Sequence, residues 1–80
     1  MVVVSPNPFD AILIVEMSEG TVFPVDLEMR STSGDLVLHD RIFTSKKIIS
    51  TRAVEPGLYQ VQLMNEQGHV FDGHFRKHPN

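Results

Sequence analysis

Apolar and polar side chains alternate along several short segments of the chain, at the period of two that is typical of half-buried β-strands. Residues 23–29 (FPVDLEM) place apolar side chains at every second position, with the carboxylates Asp26 and Glu28 on the other face. Residues 58–64 (LYQVQLM) repeat this pattern, and residues 71–76 (FDGHFR) follow it with a glycine at one apolar position. Residues 10–17 (DAILIVEM) are apolar on both faces, which predicts a strand that is covered on both sides or lies at a seam.

Turn sequences separate these segments at short intervals. They are SEG at 18–20, STSG at 31–34, EPG at 55–57 and NEQG at 65–68. Glycine supplies the positive φ that such turns need, and proline presets φ before it. No segment keeps an apolar period of about 3.6 residues over several turns, so no substantial helix is expected. The sequence predicts an all-β fold, a small immunoglobulin-like antiparallel β-sandwich of about seven short strands, as a single domain over residues 1–80.

Composition limits the classes of function. The 80 residues are 41% hydrophobic and 21% charged, which is ordinary for a globular chain. A net charge of -3 argues against binding to nucleic acid, which normally requires a basic surface. The chain has no cysteine, so disulfides and thiolate ligands are excluded. The apolar run AILIV is too short to span a membrane, and an export signal is expected on a longer parent chain.

The polar residues do not form a recognisable catalytic or metal-binding motif. Of the four histidines, His74 and His78 are four residues apart, which spans about 13 Å on an extended strand. They cannot both ligate one ion unless the segment bends. No serine lies in a nucleophile-elbow sequence, and no glycine-rich phosphate loop is present. We therefore expect a domain without enzymatic activity, without a cofactor and without a metal site.

Two local features predict structural roles. Tyr59 follows a Pro-Gly turn at the start of an alternating strand, where a tyrosine hydroxyl can bind the backbone of a neighbouring loop, as in a tyrosine corner. Pro6 and Pro8, in the opening SPNPF, are tolerated at a sheet edge because their missing N–H groups break no ladder there. Asn7 between them is expected to bridge nearby backbone groups as an Asx-turn.

The order of these motifs resembles the C-terminal sorting domain of proteins exported by the type IX (Por) secretion system. That family has a proline-asparagine-proline opening, a G-x-x-V strand after a turn, a G-x-Y-x-V-x-L strand, and a glycine followed by a lysine near the end. The matching positions in this chain are Pro6, Asn7, Pro8, Gly34, Val37, Gly57, Tyr59, Val61, Leu63, Gly68, Phe71 and Lys77.

The resemblance implies a targeting function in a Bacteroidetes-type bacterium. The domain would follow an N-terminal cargo, pass through the periplasm, and be read by the outer-membrane translocon. A sortase would then act on it at the outer membrane or cell surface, leaving the cargo there or in the extracellular space. Recognition would use surface features of the fold, and strand addition at an exposed sheet edge is one mode that fits. The candidate recognition residues are Pro6, Asn7, Pro8, Gly34, Gly57, Tyr59, Gly68, Arg76 and Lys77.

A different interpretation is an immunoglobulin-like accessory or spacer module of a larger surface protein or enzyme. Its carbohydrate-associated form is weakened by the absence of tryptophan and the single tyrosine, since a sugar-binding platform needs exposed aromatic rings. The two interpretations differ at the C-terminal end. As a sorting signal, residues 75–80 are expected to contribute to recognition more than to folding, because no large apolar side chain follows Phe75 and the segment concentrates positive charge.

Overall fold

The computed structural model describes residues 1–79, and the regular elements within them are all β-strands. The predicted number of seven strands is confirmed. Their bounds are β1 Val2–Ser5, β2 Ile12–Met17, β3 Val25–Ser31, β4 Leu36–Ile42, β5 Lys46–Ser50, β6 Gly57–Asn65 and β7 Gly68–Lys77.

The strands form two antiparallel sheets. The smaller sheet has the order β1-β2-β5, and the larger sheet has the order β4-β3-β6-β7. The longest pairing is the β6–β7 hairpin, which runs from Gly57 opposite Lys77 to Asn65 opposite Gly68. Two stacked antiparallel sheets of this size form a small β-sandwich, so the predicted fold class is confirmed.

The core lies between the two sheets and is built by the alternation read from the sequence. In β3, Val25, Leu27 and Met29 are fully buried, while the charged residues between them face outward. Leu13 and Val15 of β2 fill the core from the opposite sheet. Burying each such aliphatic side chain contributes about 1.5–3 kcal/mol, so the core supplies the main driving force for folding.

The outer face of the smaller sheet departs from the expectation for residues 10–17. Leu13 and Val15 face the core as predicted, but the outer face of β2 is not covered by another layer. Ile12 there is 38% exposed, and Ile48 on β5, which lies opposite Ile14, is 58% exposed. The second apolar face of β2 therefore continues onto β5 as an exposed apolar surface.

Candidate recognition surface

The opening prolines and the last strand, although far apart in sequence, lie against each other. The side-chain amide of Asn7 donates a hydrogen bond to the backbone carbonyl of His74 at 3.0 Å. Its carbonyl oxygen accepts the backbone N–H of Arg76 at 3.1 Å. The prediction of an Asx-turn at Asn7 is wrong, since the side chain binds the backbone of β7 about seventy residues away.

Phe9 extends this contact with its own backbone. Its N–H donates to the carbonyl of Arg76 at 2.8 Å, and its carbonyl accepts the N–H of His78 at 2.9 Å. The result is a short parallel bridge between Phe9 and Lys77. The Phe9 ring is fully buried in the core. Residues 7–9 thus cover the free edge of β7 at its C-terminal end, as an additional strand would.

The two prolines lie on the solvent side of this contact. Pro6 and Pro8 are both exposed, and the Ser5–Pro6 and Asn7–Pro8 peptide bonds are cis. Because proline has no N–H, this stretch presents no unpaired donor at either position, which agrees with the predicted role at a sheet edge. The edge that this proline-containing segment covers is the free edge of β7.

Lys77 is buried, contrary to the expectation of an exposed basic tail. Its side chain is 1% exposed, and its Nζ donates to the backbone carbonyls of Thr51 at 2.8 Å and Asp10 at 2.5 Å. The Phe9 ring lies 5.8 Å from the ammonium group, within the range of a cation–π contact. Lys77 therefore joins the last strand to the segment before β2 and to the end of β5.

The C-terminal end is an integral strand as far as Lys77. Phe75 is 4% exposed and belongs to the core, and β7 continues through Arg76 to Lys77. Residues 75–80 are predicted from the sequence to contribute more to recognition than to folding, on the ground that little is buried after Phe75. That ground is wrong for Lys77, which is buried and bound to two backbone carbonyls. Arg76 is exposed, and its backbone is bound to Asn7 and Phe9, whereas Asn80 lies outside the described residues.

Tyr59 has the structural role expected of it. Its hydroxyl donates to the carbonyl of Glu55 at 2.6 Å, and the residue is 7% exposed. This bond ties β6 to the turn that precedes it, which confirms the tyrosine corner. A side chain so deeply buried offers little surface to a partner.

The three candidate glycines lie at separate turns. Gly34 and Gly68 have φ of 90° and 115°, in the region that favours glycine, and close the β3–β4 and β6–β7 hairpins. Gly57 begins β6 beside Tyr59. Because β6 and β7 are antiparallel, Gly68 lies at the end of the larger sheet opposite to Gly57 and Lys77. The structure thus brings together Pro6, Asn7, Pro8 and Arg76 on one surface, and Gly68 is remote from it.

A separate charged cluster lies on the outer face of the larger sheet. Arg41 Nε donates to the Asp26 carboxylate at 2.9 Å, and His39 Nε2 lies 3.3 Å from the same oxygen. The hydrogen bond from Arg41 holds the pKa of Asp26 below its ordinary value, and Asp26 in turn raises the pKa of Arg41. In residues 1–79, no three His, Cys, Asp or Glu side chains group so as to hold a metal ion.

Several residues that complete this arrangement could not be identified from the sequence. Thr51 is fully buried, and its hydroxyl donates to the carbonyl of Asp10 at 2.7 Å, next to the Lys77 ammonium. Asp10 and Thr51 are 41 residues apart, and they lie 67 and 26 residues from Lys77, so no local motif contains all three. The alternation of β7 does predict that Lys77 faces inward, since position 77 continues the inward-facing series of 71, 73 and 75.

Residues 1–79 contain no helix long and apolar enough to cross a membrane. No curated protein matches the chain.

The match that identifies the chain is to a family described as "Secretion system C-terminal sorting domain", over residues 3–72. It includes the proline-asparagine-proline opening and both hairpin glycines, and it ends before Arg76 and Lys77. A sorting domain implies attachment to a cargo protein, contact with the secretion machinery, and export toward the cell surface or extracellular space. With most of its length matched, the chain belongs to the family of C-terminal sorting domains of the type IX secretion system.

Proposed function

We propose that this domain is a non-catalytic folded address that directs an N-terminal cargo from the periplasm through the outer-membrane translocon. The cargo is delivered to the outer membrane and cell surface, where a sortase acts on the domain. The family match supports this proposal together with one structural observation. The family's opening motif and the last strand meet in a single surface, so the address is complete only when both ends of the domain are in place.

The observation that carries the proposal is that this surface is formed by residues from both ends of the domain. Pro6, Pro8 and Arg76 are all exposed, and Asn7, between the two prolines, holds the two segments together through two hydrogen bonds. A partner that binds this surface discriminates the folded domain from an unfolded or truncated chain. Such discrimination suits a transport system that must select a few proteins among many in the periplasm.

No catalytic step or cofactor forms part of the proposed function. The polar side chains that converge near the two chain ends, Lys77 and Asn7, are both engaged with backbone groups. Tyr59 is likewise bound to a backbone carbonyl. These contacts stabilise the fold and leave recognition to its surface.

A fusion experiment tests this function. The domain is joined to the C terminus of a reporter that carries a periplasmic signal peptide, in a bacterium with an active type IX system. We expect the reporter at the cell surface or in the medium in the parent strain, and in the periplasm in a strain that lacks the translocon. The same reporter without the domain is the control and stays in the periplasm in both strains. A folded, protease-resistant fusion that remains in the periplasm of the parent strain would contradict the proposal and favour an accessory or spacer module.

A further inference from the structure

The outer edge of β5 carries backbone groups that no other strand of the described chain pairs. At either end of β5, Met17 N–H donates to Ser45 carbonyl and Thr51 N–H donates to Ala11 carbonyl, both at 2.8 Å. In an antiparallel pair, successive residues alternate between facing the neighbour and facing away. The hydrogen bonds at positions 45 and 51 fix this alternation, so the backbone N–H and C=O groups of the odd-numbered residues point toward β2. The residues whose N–H and C=O groups point away are Lys46, Ile48 and Ser50.

Two of the other edges of the sandwich are closed in part. Residues 7–9 cover the end of β7. On β4, a bulge interrupts the pairing with β3, and the Asp40 carboxylate accepts the outward N–H of Arg41 at 2.9 Å. On β5, Thr44 covers only the Lys46 carbonyl, at 2.9 Å. Ile48 and Ser50 therefore retain open backbone groups on a strand of five residues.

The side chains at this edge suit an added strand. Ile48 is 58% exposed and lies opposite Ile14 on the outer face of the smaller sheet. Together with Ile12 these residues form an apolar surface that ends abruptly at β5. An extended segment beside Ile48 would continue this surface and cover its exposed side.

The charge around the edge indicates what kind of segment fits. Residues 46–52 (KKIISTR) contain three of the seven basic residues of the chain and no acidic residue, although the net charge is -3. The two lysines precede the apolar centre of this segment and Arg52 follows it. A complementary antiparallel segment has β-branched residues in its centre and carboxylates at both ends.

From these observations we infer that the β5 edge accepts, by strand addition, an extended acidic segment of a protein of the export machinery. This inference rests on the proposed function and deepens it, since it names a surface and the chemistry of its partner. Main-chain hydrogen bonds to Ile48 and Ser50 supply affinity, and the basic residues at both ends fix orientation and register. Ile48 and the two lysines before it are separate from the surface formed by Pro6, Pro8 and Arg76, so changes at these positions leave that surface intact.

The binding test uses a heptapeptide, Glu-Thr-Thr-Val-Val-Glu-Glu, acetylated and amidated, titrated into the ¹⁵N-labelled full chain. Written antiparallel to residues 46–52, it places glutamates opposite Arg52, Lys47 and Lys46. We expect saturable shifts of amide signals in β5 and β2, with slowed hydrogen exchange at Ile48 and Ser50. The control peptide Lys-Thr-Thr-Val-Val-Lys-Lys should not bind. Absence of saturable shifts, equal binding of both peptides, or β5 shifts that arise from self-association without peptide would overturn the inference.

Matched variants separate the open backbone from the side chain. Ile48→Pro removes an outward N–H without breaking a bond to β2, whereas Ile48→Thr keeps that N–H and the branched side chain. We expect the proline variant to bind the acidic peptide about tenfold more weakly and the threonine variant to bind almost normally. His39→Pro, at an outward position of the β4 edge, should leave binding unchanged. If Ile48→Pro does not fold, the double variant Lys46→Glu/Lys47→Glu, at two exposed positions, tests the inference instead. Unaltered affinity of this variant for the acidic peptide contradicts the inference.

The reporter fusion then distinguishes this inference from the proposed function. Export of the parent fusion combined with stalled export of a folded Ile48→Pro fusion supports both. Equal export of the parent and Ile48→Pro fusions overturns the strand-addition inference and leaves the sorting function intact. A parent fusion that is not exported overturns the sorting function, and the peptide titration then decides the inference separately.

Discussion

Replacing Lys77 by methionine tests whether the buried ammonium group holds the two ends of the domain together. Methionine keeps a flexible unbranched side chain of similar length but cannot donate a hydrogen bond. The Asp10 carbonyl would still accept the Thr51 hydroxyl, at 2.7 Å. The buried carbonyl of Thr51 would lose its bond from Nζ, which is 2.8 Å long in the native protein.

Two opposing effects set the magnitude. A hydrogen bond from a charged donor contributes about 1.5–3 kcal/mol, and a buried carbonyl left without a partner costs about 1–3 kcal/mol. Against this, the native lysine carries the cost of removing an ammonium group from water, which methionine avoids. Because two bonds are lost and one carbonyl stays unpaired, we expect a net destabilisation of about 2–3 kcal/mol. That is a large share of the roughly 4–12 kcal/mol available to a domain of this size.

Urea unfolding followed by circular dichroism at neutral pH measures this loss. The melting temperature should fall by about 10–20 °C, since each kcal/mol shifts it by about 4–8 °C in a domain this small. Lys47→Met is the matched control, because Lys47 is exposed on β5 and its replacement should change stability by less than about 0.5 kcal/mol. A Lys77→Met protein as stable as the parent would show that the desolvation cost outweighs the hydrogen bonds, and would refute the reasoning.

Three further changes test separate features. Tyr59→Phe should lower the free energy of unfolding by about 0.5–1.5 kcal/mol, and equal urea midpoints would exclude the tyrosine corner. Gly73→Ala places a Cβ 3.0–3.1 Å from two phenylalanine rings, so overpacking should cost about 1–3 kcal/mol in the same assay. In an NMR titration, the pKa of Asp26 should lie below its ordinary value near 3.8 and rise in Arg41→Met. The stabilisation from that pair is present above the unfolded pKa and is lost as the pH falls through the folded value, so Arg41→Met should flatten the acid limb of the stability curve.

The strands and turns could be predicted from the sequence because their causes are local. Alternation in β3 and β6 places every second side chain in the core, and the hairpin glycines supply backbone conformations that other residues rarely adopt. The tyrosine corner was predictable for the same reason, as Tyr59 binds a carbonyl only four residues away.

The candidate surface was predictable only in part, because its contacts cross the whole chain. Without knowledge of its partners, the composition of residues 75–80 (FRKHPN) predicts an exposed basic tail. The partners of Lys77 lie 26 and 67 residues away, and those of Asn7 lie 67 and 69 residues away. Extending the alternation of β7 by one step would have placed Lys77 inside, but a lysine is almost never buried without partners, and the sequence does not reveal them.

The contacts at the two chain ends also explain why the edges of this sandwich differ. A small β-sandwich has four sheet edges, and each unpaired edge is a potential site of aggregation. Here residues 7–9 protect the end of β7, and Lys77 holds that strand from within through its buried hydrogen bonds. The closure requires residues from both ends, so a chain that lacks its last strand exposes the edge of β6 and loses the partners of Asn7 and Phe9. Such a chain lacks the surface formed by Pro6, Pro8 and Arg76, whereas the β5 edge belongs to the smaller sheet and does not pair with β7. A sorting signal that uses both surfaces would therefore report completion of the fold through one and bind an extended partner through the other.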